Sequence, residues 1–265
     1  MKKVEDAILL AGGEGSRLRP FTRYTSKHLL PVFDKPMIFY PLTNLILMGV
    51  SRVFLIINPK HESQWRLLLE SLDLDIEIKL VLQKKPEGIP QAIQLCREYI
   101  NGKSFYLALG DNLILGSGLL NRFNAEMSED EDADEAVILG HPVKDITKFG
   151  IAEFEEDGVL KRVVEKPSES LSNIAIIGLY KFGASACDRA DKLLKSARGE
   201  LEIADLINSY IDTGKCTLVR SNVATDYWLD TGTPDALISA SVLLRELHNS
   251  GLRNLGDLSG SDDAT

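Results

Sequence analysis

The first half of the chain alternates short apolar runs with longer amphipathic ones. Ala7–Leu10, Val53–Ile57, Ile76–Leu82 and Phe105–Leu109 are rich in aliphatic and aromatic residues and have the length of strands, the last two partly alternating. Between them Pro36–Met48, His61–Leu72 and Pro90–Ile100 carry apolar residues at helical spacing, with Pro36 and Pro90 suited to first-turn positions. Strand–helix alternation predicts a parallel sheet with helices on both faces and ligands at the carboxyl ends of its strands.

The second half changes character. Ala136–Gly140, Ile151–Phe154, Val159–Val164 and Ile174–Phe182 predict strands joined by short turns, among them an Asp157-Gly158 hairpin. Helical patterns return at Ala184–Ser196, Glu202–Thr213 and Pro234–His248. The acidic run Glu129–Glu135 reads as a solvated loop, and the Gly/Ser/Asp-rich end as a disordered tail over residues 251–265. Neither repeats nor a linker interrupt residues 1–250, so one continuous domain is expected.

The loop after the first apolar run carries the strongest chemical signal. Gly12, Gly13 and Gly15 let a backbone turn tightly and bring its N–H groups against a ligand. Arg17, Arg19, Arg23 and Lys27 follow within a chain of formal net charge −9. A local excess of cations in an acidic protein fits a small anionic ligand such as a nucleotide phosphate, and excludes the basic face that nucleic acid needs. Spacing excludes two familiar phosphate loops. Gly15 is followed by Ser16-Arg17 rather than Lys-Ser/Thr, and Leu18 stands where a dinucleotide fingerprint needs glycine.

Composition narrows the setting. With 265 residues, 44% hydrophobic and 26% charged, the chain is long enough for a sizeable core. Cys96, Cys187 and Cys216 are odd in number and widely spaced, which fits a reducing cytoplasm. No run approaches the ~20 apolar residues of a membrane span.

Two carboxylates end apolar segments: Asp111 in Gly110-Asp111-Asn112, and Asp230 in Trp228-Leu229-Asp230-Thr231. A hard divalent cation takes oxygen ligands of this kind. Thr233-Pro234-Asp235 already supplies a cap for the next helix, so Asp230 is free of that task, whereas Asp111 could equally serve an Asx-turn. Glu165-Lys166-Pro167 ends another strand, Arg198 lies in a loop entering a helix, and Gln83 sits beyond Leu82. The Gln83 amide can flip to suit different bases. His28, His61, His141 and His248 lack metal-ligand spacing, and no nucleophile elbow is present. A phosphate monoester with a second pKa near ~6 needs no base to become a nucleophile, which fits phosphoryl-type transfer.

Taken together, LAGGEGSRL (10–18), SKHLLPVFDKPMIFYPL (26–42), QKKPEGIPQA (83–92), LGDN (109–112), FGIAEF (149–154), EKP (165–167), SNIAIIGLY (172–180), RGELEIAD (198–205) and WLDTGT (228–233) resemble the sugar-1-phosphate nucleotidylyltransferases, especially their thymidylyl-transferring members. The resemblance implies a Rossmann-like three-layer α/β fold with a mostly parallel central sheet. It implies a nucleotide-binding half over about residues 1–115 and a sugar-binding half over about 116–250. It implies that Leu10, Gly12, Gly13, Gly15 and Ser16 cradle the triphosphate, that Arg17 holds the departing pyrophosphate and that Lys27 neutralises the α-phosphate. Gln83 and Gly88 would meet the pyrimidine, and Asp111 with Asp230 would ligate Mg²⁺. Asn112, Gly150, Glu165 and Ile176 would line the sugar phosphate's pocket, with Lys166 and Arg198 on its phosphate.

The implied reaction joins a nucleoside triphosphate, dTTP first, to a sugar 1-phosphate, glucose 1-phosphate first, in a homo-oligomer. The chain departs from the family at His28, where Gln is usual, and at Phe149, where Tyr is usual. It also ends soon after its last predicted helix, so feedback inhibition is expected only by competition at the active site. Two alternatives stand beside this reading: a uridylyl- or cytidylyltransferase, and a non-catalytic nucleotide-sugar sensor on the same fold.

Overall fold

The computed structural model describes residues 4–116, 118–126, 134–251, 256 and 258. In chain order the strands are β1 (Asp6–Ala11), β2 (Pro31–Val32), β3 (Lys35–Pro36), β4 (Arg52–Ile57), β5 (Glu77–Leu82), β6 (Phe105–Leu109), β7 (Asn112–Gly116), β8 (Ala136–Pro142), β9 (Gly150–Phe154), β10 (Leu160–Glu165), β11 (Ile174–Phe182), β12 (Cys216–Arg220) and β13 (Asp226–Asp230). The helices are α1 (Phe39–Leu47), α2 (Glu62–Glu70), α3 (Ile89–Leu95), α4 (Arg97–Ile100), α5 (Leu119–Ala125), α6 (Ala186–Ala190), α7 (Ile203–Ile211) and α8 (Pro234–Asn249).

One nine-stranded sheet runs β10-β9-β11-β6-β1-β4-β5, with β8 pairing β11 and β12 pairing β8. β1, β4, β5 and β6 pair in parallel, as do β8 and β12, whereas β11 runs antiparallel to β6, β8 and β9. Only β10 and β11 oppose the common direction, so the sheet is mixed with mostly parallel strands. The two-residue period of a strand sorts its core onto two faces. Ala7, Leu9 and Ala11 of β1 pack with Val53, Leu55, α1 and α2 on one face. Ile8, Phe54 and Ile56 pack with α3, α6 and α7 on the other. Helices thus cover both faces, as the alternation predicts.

Outside the main sheet, β13 pairs antiparallel with β7 and α8 lies over them, with Ala240, Leu244 and Leu247 against Leu113 and Leu115. Thr233 caps α8 by accepting from Ala236 N at 3.3 Å, and Pro234 opens its first turn. The Asp157-Gly158 turn joins β9 to β10, with Gly158 at φ +85°.

Several expectations are corrected. The helix expected from Pro36 begins at Phe39, because Pro31–Val32 and Lys35–Pro36 close a small hairpin through Phe33 at φ +61°. The Pro90–Ile100 helix is divided at Cys96, although Pro90 sits in the first turn as expected. Only Ala186–Ala190 of the Ala184–Ser196 pattern is helical; Leu194 is 84% exposed, so its apolar side chain had no core to follow. β7, α5 and β12 were not anticipated. Of the acidic run, residues 129–133 lie outside the described residues, but its end is engaged rather than merely solvated. Asp134 accepts from Ser185 N at 3.0 Å and pairs with Arg189, and Glu135 pairs with the buried Lys181 at 3.0 Å. Of the expected tail, only Gly251, Gly256 and Leu258 are described. Among the described residues no helix is long and apolar enough to cross a membrane.

Candidate active site

The carboxyl ends of β1 and β6 lie side by side, since Leu10 pairs with Leu109 and Gly110 N donates to Leu10 O at 2.9 Å. The glycine loop leaving β1 therefore runs next to Asp111. Gly15 stands at φ +61°, a conformation open to glycine, and its carbonyl accepts from Leu18 N and Thr22 Oγ1. Those bonds shape the turn Ser16–Leu18, which carries Ser16 and Arg17 as exposed side chains. A second short turn, Lys27–Leu29, brings Lys27 into an ion pair with Asp111 Oδ2.

Asp111 and Asp230 meet through the small β7–β13 sheet, whose register pairs Asp230 with Asn112. Thr231 Oγ1 donates to Asp111 O at 2.9 Å and ties the two strand ends together. The surroundings push the two carboxyls in opposite directions. Burial is the largest single influence and opposes ionisation of Asp111, but the Lys27 ammonium together with the hydrogen bonds from Lys27 and Asn112 overcomes it and holds the carboxyl well below the usual range. Asp230 is pushed upward, first by burial and then by the negative charge of Asp111, with Arg17 only partly offsetting. Arg17 passes so close to Gly232 that a Cβ there would lie 2.5 Å from its guanidinium nitrogen.

Asn112 takes a positioning place. Its Oδ1 accepts from Trp228 Nε1 at 2.7 Å and Gly178 N at 3.2 Å, while its Nδ2 donates to Asp111 Oδ1 at 3.1 Å. That leaves its amide engaged within the protein. Phe149 sets its ring edge-on against Trp228 at 5.0 Å.

A cleft of about 290 Å³ opens from these strand ends. It joins Leu10, Gly12, Gly13, Lys27, Gln83, Gly88 and Asp111 with Glu165 and Lys166 from the second half of the chain. Gly15, Ser16, Arg17, Asn112, Arg198 and Asp230 are outside its lining. Gly150 abuts Glu165, with which it pairs in the β9–β10 register, and Ile176 is packed among Ala152 and Val163 in the core. Neither lines the cleft.

At the far wall, Glu165 Oε1 lies 3.4 Å from Lys166 Nζ and 3.2 Å from Arg198. Lys166 adopts φ +46°, a strained value for a side-chain-bearing residue that costs of order 1–3 kcal/mol and is a mark of functional sites. Sequence reasoning missed Glu202. It is 7% exposed, lines the cleft, accepts from Ser196 Oγ at 2.6 Å and pairs with Arg198 at 2.7 Å. Its only signal was an acidic residue at the start of a helix.

The two walls are bound to each other. Gly88 bridges Leu201 in parallel fashion, and Leu201 N donates to Glu87 O at 2.8 Å. Glu87 also pairs with Lys195 at 2.8 Å. His28 lines the cleft, and burial, reinforced by Lys27, lowers its pKa to about 3, so it is a neutral imidazole.

Known proteins carry the same pattern. Residues 6–246 match the nucleotidyl transferase family. The chain is 39% identical over 236 residues to a glucose-1-phosphate thymidylyltransferase of Xanthomonas campestris pv. campestris (strain B100), covering 88% of this chain and 78% of that protein. A Bacillus anthracis structure, assigned as a glucose-1-phosphate thymidylyltransferase and solved with a sucrose, is 30% identical with a TM-score of 0.78 over 91% of this chain and 95% of that one. A UDP-glucose pyrophosphorylase complexed with UDP-glucose, 20% identical, shares the fold with a TM-score of 0.78 over 92% of this chain and 99% of its own. Since the matched span takes in the whole sheet and every loop that shapes the cleft, this chain belongs to the nucleotidyl transferase family.

Proposed function

We propose that the cleft condenses dTTP with glucose 1-phosphate to give a nucleotide-sugar and pyrophosphate. The observation that carries this reading is the placement of two cationic groups across one cavity. Lys27 lines the cleft beside the glycine loop, and Lys166 lines it from the second half of the chain, with Arg198 outside the lining but paired to the lining Glu165 and Glu202. Two phosphate-bearing substrates can therefore face each other between them, as a displacement at phosphorus requires. The name of the Xanthomonas relative supports the choice of substrates.

Gly12, Gly13 and the backbone at Ser16 cradle the triphosphate, with Gln83 and Gly88 at the base. Lys27 neutralises the α-phosphate and Arg17 holds the β- and γ-phosphates that leave. Gly150 and Glu165 shape the sugar pocket, Ile176 supports it from the core, and Lys166 with Arg198 aligns the sugar phosphate. An oxygen of that phosphate attacks the α-phosphorus; the new P–O bond forms as the bond to the β-phosphate oxygen breaks, and pyrophosphate carries the electrons away. The attacking group is already ionised at neutral pH, so no base is required. His28 does not supply one, being buried and neutral.

Asp111 and Asp230 suit Mg²⁺. Their donors are all oxygen, and ionisation of Asp230 is resisted by burial and by Asp111, a resistance that a cation beside both would relieve. These two residues would hold the cation, which supplies further neutralisation of phosphate charge when bound. Pyrophosphate release from a panel of nucleoside triphosphates crossed with sugar 1-phosphates tests the assignment. Release with dTTP and glucose 1-phosphate is expected, and no release from any pair supports the sensor reading instead.

A further inference from the structure

A glutamine that meets a nucleobase reads opposite edges equally well if its amide can flip. Gln83 is held against flipping. Its Nε2 donates to Gln91 Oε1 at 2.7 Å. The same Gln91 Oε1 accepts from Glu87 N at 3.1 Å, and Gln91 Nε2 donates to the Glu87 carboxylate at 3.2 Å. Both anchors have a single polarity. A backbone N–H only donates. The Glu87 carboxyl, lowered by its hydrogen bond to Lys195 and by that residue's charge, is ionised and only accepts.

Gln91 must then turn its oxygen toward Gln83, and Gln83 must answer with its nitrogen. The remaining Gln83 Oε1 faces the glycine loop, where a Cβ on Gly12 would lie only 2.4 Å from it. Gln83 lines the cleft at 4% exposure, and its oxygen finds no donor among the described residues. An acceptor without a protein donor, open to the cleft from its wall, is available to a donor on the ligand.

Thymine and uracil carry a hydrogen on N3 between two carbonyls, whereas cytosine has a bare N3 acceptor beside an amino group. In one ring pose the two patterns are reversed, so a locked amide accepts one and rejects the other. We propose that Gln91 is a positioning residue that locks the Gln83 amide and thereby selects triphosphates whose base bears an N3–H against cytosine. The proposal rests on the reading of this cleft as a nucleotide site.

The test compares kcat/KM for dTTP and dCTP, with glucose 1-phosphate, in the wild type, Gln91→Met and Gln91→Glu. Met fills similar space without polarity and frees the Gln83 amide. The preference for dTTP should fall about tenfold or more, the scale of a lost base-edge pair, while KM for glucose 1-phosphate stays put. Glu keeps an acceptor toward both Gln83 and Glu87 N–H and, sharing a proton with the Glu87 carboxylate in place of the lost Nε2 donor, should hold the preference within about threefold even if total activity drops. An unchanged preference in Gln91→Met overturns the proposal. So does a wild type that uses dCTP as well as dTTP, which leaves the nucleotidyltransferase reading intact; a wild type that uses neither overturns both.

Discussion

Asp230 stands beside Asp111 at the joined ends of β13 and β7, yet the charge of Asp111 is stabilised by the fold and that of Asp230 is resisted by it. For Asp111 the folded pKa lies below the unfolded value. Its ionisation therefore adds stability above the ordinary carboxylate range, and this is lost as pH falls. For Asp230 the folded value is raised, so its charge costs stability at neutral pH.

The two Asn variants should consequently move the melting temperature in opposite directions. Asp111→Asn leaves Lys27 without its partner and should lower Tm by roughly 5 °C. Asp230→Asn removes a resisted charge and should raise Tm by about 1–4 °C without metal. Each should lose about 10²-fold or more in turnover. Added Mg²⁺ should raise Tm of the wild type and leave Asp230→Asn unmoved in calorimetry. Equal losses of Tm in both variants would make Asp230 an ordinary turn residue.

Arg17 borders Gly232 and its charge acts on Asp230, which puts a planar two-pronged cation beside the carboxylates of the proposed site. Arg17→Ala should lower kcat by about 10²-fold or more, and Arg17→Lys should recover only a small part, because an ammonium cannot grip two oxygens in one plane. Near-normal turnover in a folded Arg17→Ala enzyme removes it from the site.

Gly88 joins the two walls at φ +106°, and a Cβ there would sit 2.0 Å from Leu201 O. Gly88→Ala should raise KM for both substrates by about tenfold or more, because the loops at Gly88 and Leu201, proposed to hold the base and the sugar phosphate, must separate. Gly102 gives the control. It has φ +73° with open space around it, so Gly102→Ala should cost only about 1 kcal/mol of stability and leave both KM values alone. Steady-state kinetics showing a change in only one KM for Gly88→Ala would contradict the coupling.

Burial holds the His28 pKa at about 3, against 6.5 for an exposed ring. The unfolded chain binds an extra proton in that window, so stability falls as pH drops from about 6.5 toward 3. His28→Gln should flatten this slope. Denaturant midpoints measured at pH 7 and pH 5 should differ less in the variant than in the wild type, and an equal difference would show that His28 is already charged when folded.

The alternation of apolar runs was enough to place β1, β4, β5 and β6 and to announce helices on both faces, because strand and helix periods are local properties of the chain. The glycine loop was legible for the same reason: Gly15 needs a left-handed backbone, and the residues around it say so. β7 escaped notice because it follows β6 after only Gly110 and Asp111, β12 because Val219 is its one buried residue, and Leu194 mimicked a core position without a core to face. Patterning showed Asp111 and Asp230 as carboxylates at the ends of apolar segments, and the family resemblance alone paired them as expected Mg²⁺ ligands. The pairing of β13 with β7 shows how the two strand ends come together, and only burial and charge there push the two carboxyls in opposite directions. Gln83 shows the division most directly. From sequence its amide was free to face either way, whereas in the fold a backbone N–H and a carboxylate at Glu87, acting through Gln91, leave it one orientation.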